Sequence, residues 1–328
     1  MRILKKKIEK KKEEKKRKDS NNRCNLKSRE EKDELIQRLK ICHDNDNIFH
    51  YIDKKYKRYI IKNINYSSEN ISINKEKNEN YIHNKKKCSM NLVSSSFIFF
   101  ESINSYELKK YKSAFSIYNI LLNITKINMQ KLYDENNFLN KGWSDKEKLK
   151  ELKSDRSKLI LGFLKKEEAT ECNHVQNSIG EETYDSKFFI TKNTNKNFID
   201  IIKTNDKNQI DDFLKTNPLV CFVHFRFTSD YYPYQKNIIC YLYEIQIIKE
   251  YIKIGIGTHL INILEQLCKN IHINKILCTV LKNNYKAVKF YKNKCSFQMD
   301  ESSPDNFYSN TDLSQTCEYE ILKKDIFS

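Results

Sequence analysis

Two glycines constrain this chain most. They lie in Lys249-Glu250-Tyr251-Ile252-Lys253-Ile254-Gly255-Ile256-Gly257-Thr258, after an apolar, tyrosine-bearing run at 237–248 and before an amphipathic stretch. The order predicts a strand, a glycine turn and a helix. Glycines in such a turn let consecutive backbone NH groups face outward at the positive end of a helix, a geometry suited to a pyrophosphate. A Gly-x-Gly pair alone says little, so its neighbours carry the argument. Leu260, Ile261, Leu264, Leu267 and Cys268 fall at helical intervals; residues 275–281 read as an apolar strand, and 284–294 as a short helix with Ala287 and Tyr291 on one face. Upstream, 219–227 is β-rich and 228–236 has the composition of a hairpin loop; 317–322 closes as a final strand. This succession describes an α/β fold, a mixed β-sheet flanked by helices.

The first half is less regular. Residues 92–101 open with strand character, and 106–134 carry Ile117, Leu121, Ile124, Asn128 and Leu132 on or near one helical face. Ser144, after the only tryptophan, Trp143, is placed to cap a helix running to about residue 153. Residues 158–164 are a candidate strand. The polar stretch 165–217 reads mostly as an insertion.

Composition divides the chain further. A mean hydropathy of −0.75 with 39% hydrophobic residues is too polar for a core that uses every residue. The formal charge is +17, and residues 1–20 hold eleven Lys/Arg against four Asp/Glu, whereas 218–328 hold thirteen against eleven. Residues 1–45 therefore read as a disordered, basic N-terminal arm with helical potential, suited to ribosome, nucleic acid or nothing at all, and 46–91 as an Asn/Lys-rich low-complexity segment. The domain itself is expected over 92–326. Ten cysteines without a Cys-x-x-Cys pair support neither a zinc site nor a disulfide framework, so no metal is expected. The start lacks a signal-peptide core and no window is long enough to span a bilayer; the expectation is a protein of nucleus and cytoplasm with no membrane partner.

The glycine turn and its flanking elements resemble the acetyl-CoA core of the GNAT N-acetyltransferase superfamily. Several motifs narrow the likeness to the NatD-type histone N-terminal acetyltransferases: Tyr241-Leu242-Tyr243-Glu244-Ile245-Gln246, Asp300-Glu301-Ser302-Ser303-Pro304, Cys317-Glu318-Tyr319-Glu320-Ile321-Leu322, residues 124–133, Gly142-Trp143-Ser144-Asp145-Lys146-Glu147 and His224-Phe225-Arg226-Phe227. They fall in family order across 92–164 and 218–326.

That resemblance implies a GNAT acyl-CoA N-acyltransferase fold and transfer of acetyl from acetyl-CoA to the α-amine of core histone N-terminal tails beginning Ser-Gly-Arg-Gly. An α-ammonium with a pKa near ~8 must lose a proton before it attacks, and Glu244, in a strand bearing two tyrosines, is the candidate base. Tyr133, Tyr241, Tyr243 and Tyr319 match tyrosines of the peptide groove, with Tyr243 also expected at the catalytic centre. Ser302 and Asp230 match a serine and an acidic residue beside the substrate. For acetyl-CoA, the NH groups of Ile252, Lys253, Ile254, Gly255, Ile256, Gly257 and Thr258 are expected at the pyrophosphate, strand residues Ile245, Gln246 and Ile247 at the acetyl and pantetheine part, and Asn284 on the pantetheine chain. Tyr291 is expected near the sulfur as donor to the leaving thiolate. Departures are Ile252 for the usual polar residue before the glycines, Thr228 for an aspartate and Lys141 for an aromatic. They leave two other readings open: a GNAT enzyme acting on a different N-terminus or a lysine, and a non-catalytic basic binding protein.

Overall fold

The computed structural model describes residues 33–34, 36–40, 48–61, 96–138, 141–166, 197–231, 233–307 and 317–327. Most of the basic arm, most of 46–91 and the larger part of the expected insertion lie outside these residues.

Among the described residues, eight strands form one sheet in the order β1-β2-β3-β4-β5-β6-β8-β7. They are β1 (Arg58–Ile61), β2 (Ser96–Asn104), β3 (Lys158–Lys166), β4 (Leu219–Ser229), β5 (Ile238–Ile247), β6 (Lys275–Leu281), β7 (Gln298–Met299) and β8 (Tyr319–Asp325). Every pairing is antiparallel except β5 with β6. A parallel pair needs a crossover, and the helix α5 (Ile256–Asn270) supplies it, with Ile256, Leu260, Ile263, Leu264 and Leu267 buried against the sheet. The opposite face is covered by α1 (Phe115–Glu135), α2 (Asp145–Leu152), α3 (Phe198–Lys203) and α4 (Lys207–Thr216). A short α6 (Tyr285–Lys289) runs into a π-helical turn at Phe290–Lys294.

Two stretches depart from the sequence reading. Residues 198–216, expected within a polar insertion, form α3 and α4, and Phe198 is wholly buried with its ring 4.7 Å from Phe163 and 5.3 Å from Phe213. Residues 48–61, expected in a low-complexity segment, supply an edge strand and lie along α5. There Asn270 donates to the Tyr51 carbonyl, His259 Nε2 lies 3.0 Å from the Tyr56 carbonyl, and the Tyr59 hydroxyl donates to the Ile254 carbonyl. Tyr59 therefore stands beside the glycine turn.

Inside the sheet, Gly162 is needed for its size. A Cβ there would overlap Cys221 Sγ and sit 3.0 Å from the Phe100 ring. Gly162→Ala should lower unfolding stability by about 1–3 kcal/mol through overpacking. A urea titration checks this: the loss should shrink when Cys221→Ala is added, and an unshifted midpoint in the single variant would show that the sheet has room.

Candidate active site

A one-residue bulge arranges the site. Along β4 and β5, Val223 faces Ile245 and His224 faces Glu244, but Phe225 faces Leu242, so Tyr243 is the extra residue. Strand side chains alternate between faces, and an inserted residue resets the alternation. Leu242, Ile245 and Ile247 accordingly turn to the core under α5, while Tyr241, Tyr243, Glu244 and Gln246 share the other face. Without the bulge, Glu244 would fall on the face with Leu242.

The same region opens a cleft. β5 pairs with β6 only where Cys240, Tyr241 and Leu242 meet Ile276, Leu277 and Cys278. Past Leu242, β5 continues to Ile247 and β6 to Leu281 without mutual register, so the two strands splay. Asn128 of α1 reaches the far end, donating to Gln246 Oε1 at 2.8 Å and to the Ile247 carbonyl at 3.2 Å. The glycine turn follows. Lys253 has φ 64° and Gly255 φ 97°, and the first helical bond of α5 runs from the His259 NH to the Gly255 carbonyl at 3.1 Å. The NH groups of Ile256, Gly257 and Thr258 thus belong to the first turn, which has no intrahelical acceptors for them. Gly257 is explained by contact rather than by conformation, since a Cβ there would lie 3.0 Å from the Phe290 ring. The Ile252 side chain is exposed.

Asn284 caps α6, its Oδ1 accepting from the Ala287 NH at 3.3 Å, while its amide lies 4.0 Å from Met129 Sδ. Tyr291 packs between Phe290 and Phe297. Burial, with the nearby Cys278, Glu244 and Cys295 groups, raises its phenol well above the ordinary range, so it keeps its proton.

On the other face of β5 lies a cavity of about 400 Å³, lined among others by Tyr133, Trp143, Lys148, Glu151, His224 and Tyr243. The α1–α2 connection forms one wall. Ser144 accepts from the Glu147 NH and starts α2 as expected; this fixes Trp143, whose ring lies 5.5 Å from Tyr133. Phe138 links Tyr133, at 4.8 Å, to Tyr319, at 6.0 Å. The opposite wall is Tyr243, stacked at 4.9 Å on His224 and 4.8 Å from Tyr241. The Tyr241 hydroxyl is engaged with Thr279 Oγ1 at 2.6 Å. Tyr133 and Tyr243 thus line the cavity, Tyr241 stands beside Tyr243, and Tyr319 is joined to Tyr133 only through Phe138.

The polar floor was not foreseen. Lys148 of α2 is buried and bridges Glu244 at 2.7 Å and Glu151 at 3.1 Å. Desolvation opposes its charge, but Glu244 and Glu151 outweigh that and leave its proton more tightly held than usual. Burial depresses His224 to about 3, with Lys148 and Arg226 adding to the effect, so the imidazole is neutral. The i,i+3 spacing of Lys148 and Glu151 was visible, but a helix this highly charged gives no sign of which lysine turns inward.

Two expected acceptor contacts are placed differently. Asp230 does not face the cavity: its carboxylate pairs with Lys275 at 2.7 Å. Lys275 also meets Asp300 at 3.2 Å, and Asp300 in turn takes the Ser302 hydroxyl at 2.5 Å. A buried carboxylate needs a counter-charge, and Lys275 supplies one to both acids. Glu244 likewise has both oxygens engaged, by Lys148 and by the Gln246 amide at 2.6 Å.

Residues 176–297 match the family described as Acetyltransferase (GNAT) family; this span holds the bulge, the splay and the glycine turn. The chain has the GNAT fold. Among solved structures, Arabidopsis thaliana Naa50 in complex with the bisubstrate analogue CoA-Ac-MVNAL aligns at 24% identity over 32% of this chain and 65% of that one, with TM-score 0.25. Arabidopsis thaliana NAA60 in complex with acetyl-CoA aligns at 13% identity over 70% and 99%, TM-score 0.37. Tetrahymena GCN5 aligns at 13% over 66% and 91%, TM-score 0.34. β1 is the edge strand at the end of the sheet away from the β5–β6 cleft. No group of three His, Cys, Asp or Glu among the described residues is placed to hold a metal ion, and none of their helices is long and apolar enough to cross a membrane.

Proposed function

We propose that the protein transfers an acetyl group from acetyl-CoA to the α-amine of a protein N-terminus, with core histone tails beginning Ser-Gly-Arg-Gly as acceptors. The observation that carries this reading is the adjacency of two spaces on one strand: the β5–β6 cleft opens beyond Leu242, toward the glycine turn, and the aromatic cavity opens at Tyr243, the next residue.

Bound acetyl-CoA supplies a thioester as acyl donor. The chain's own groups do the rest. The NH groups of Ile256, Gly257 and Thr258, with the dipole of α5 behind them, suit the pyrophosphate. Ile245 and Ile247 belong to the part of β5 that runs past its pairing with β6, their side chains packed on the core, and Tyr291 holds a proton near Glu244 and Cys278. The aromatic walls are suited to a short flexible chain end: rings cover it while exposed polar groups at the mouth, Glu147 among them, meet its charges.

Fold alone does not choose an acceptor. Lys141, which lines the cavity where the family resemblance leads one to expect an aromatic, favours a second reading with a broader range of N-termini. The test is acetyl transfer to a peptide beginning Ser-Gly-Arg-Gly-Lys, beside the same peptide blocked at its α-amine and an unrelated free N-terminus. Transfer to the free histone-like tail alone is expected. Transfer to the blocked peptide would replace this reading by a lysine acetyltransferase, and equal transfer to both free peptides would support the broader specificity.

A further inference from the structure

The cavity has a carboxylate at its surface that is not the one the strand motif singles out. Glu244 has 5% side-chain exposure, both its oxygens are engaged, and it does not line the cavity. Glu151 lines it with a side-chain exposure of 34%. One of its oxygens lies 3.1 Å from Lys148 Nζ and 3.7 Å from His224 Nδ1. His224 is wholly buried, its Nε2 lies 2.7 Å from Ser157 Oγ, and its Nδ1 has no hydrogen-bond partner among the described residues. A buried polar atom left open beside a carboxylate marks a place where a donor is missing.

We propose that Glu151 is the base that takes the proton from the acceptor's ammonium, with Lys148 holding its carboxylate in place and His224 closing the cavity behind it. The inference rests on the acetyl-transfer reading above. The titratable groups around Glu151 are Lys148 on its own helix, with Glu147 and Lys150 of that helix on the same cavity, Tyr133 on α1, His224 and Arg226 on β4, and Tyr243 and Glu244 on β5. Burial raises its proton affinity, Lys148 opposes this and Glu244 reinforces it; the net result lies above an ordinary carboxylate, closer to the working pH of a base. The protons balance simply. One leaves the ammonium for Glu151 and passes to solvent through the open mouth. The neutral amine then forms the N–C bond as the thioester C–S bond breaks, and the second nitrogen proton ends on the departing sulfur.

The experiment compares Glu151→Gln and Glu244→Gln on two acceptors, the Ser-Gly-Arg-Gly-Lys peptide and an analogue whose N-terminal amine is replaced by an aminooxy group, which is a neutral NH2 rather than an ammonium at neutral pH. Glu151→Gln should lower kcat on the amine peptide about a hundredfold, keep acetyl-CoA binding, and recover nearly the unaltered protein's rate on the aminooxy peptide. A merely structural role would lower both rates alike. That result, or an undiminished rate on the amine, overturns the proposal, as does acceptor-dependent loss confined to Glu244→Gln. If Glu151→Gln fails to fold, Glu151→Asp serves: it should keep activity with a shifted pH profile, and an unshifted profile counts against the base. Failure of the unaltered protein to use either acceptor would overturn the acetyl-transfer reading itself.

Discussion

Gly255→Val should weaken acetyl-CoA binding about a hundredfold, close to ~2.8 kcal/mol, while leaving the sheet intact. Gly255 has φ 97°, a conformation that a β-branched residue adopts only under strain. A Cβ would also lie 2.5 Å from the Tyr59 hydroxyl, which is fixed on the Ile254 carbonyl. The turn cannot relax toward Tyr59, so it must relax away from it and carry the Ile256 and Gly257 NH groups out of line. Strain of this kind is on the order of 1–3 kcal/mol, and it falls on the segment that has to fit the pyrophosphate. Calorimetric titration with acetyl-CoA checks the affinity. Adding Tyr59→Phe separates the two causes: the hydroxyl contact is removed, the backbone conformation is not, and binding should stay weak. An unchanged Kd in Gly255→Val would mean that the turn is not the cofactor's cradle.

Much of this was legible because the pattern was local. The apolar spacing from Leu260 to Cys268 needs nothing but its own helix to be read, and the Ser144 cap needs only the Glu147 NH. What stayed hidden depends on partners far along the chain. The reset of faces at Tyr243 comes from the register of His224 and Phe225 on β4, which no run of β5 residues encodes. Phe198, Ile201 and Ile202 are buried in a stretch whose average composition is polar, because three or four apolar positions suffice to seat a short helix on a sheet. Tyr59 looked like one tyrosine among many until β1 paired with β2 and set it on the glycine turn. Asp230 and Ser302 were legible as polar groups, but not the pairing of Asp230 with Lys275 or of Ser302 with Asp300, the second carboxylate on that lysine, because these partners lie on different loops. Charge in a sequence shows neither its sign of exposure nor its partner, and the site's electrostatics is where the reading was weakest.

Lys148→Met should be the most damaging single substitution in the site, costing about 3–5 kcal/mol of stability. The asymmetry of the triad decides this. Lys148 has two carboxylates, whereas Glu244 has one ammonium. Removing Glu244 as Glu244→Gln leaves Lys148 paired with Glu151 and removes the buried charge, at the smaller cost of an amide NH2 set against one of the two donors that Glu244 now accepts from. Removing Lys148 leaves Glu244 with 5% side-chain exposure, no counter-ion and no route to water, and leaves Glu151 beside it with the same sign of charge. Glu244→Gln alone should therefore cost distinctly less than Lys148→Met, and the double variant should be more stable than Lys148→Met. A double-mutant cycle by chemical denaturation measures the coupling. Equal losses in the two single variants, or additivity in the double, would show that water reaches Glu244 and that the triad is not the closed floor described. The same cycle bears on function. If Lys148 fixes Glu151 at the cavity, transfer should fall in Lys148→Met even at temperatures where the variant is folded, and restoring stability with Glu244→Gln should not restore the rate.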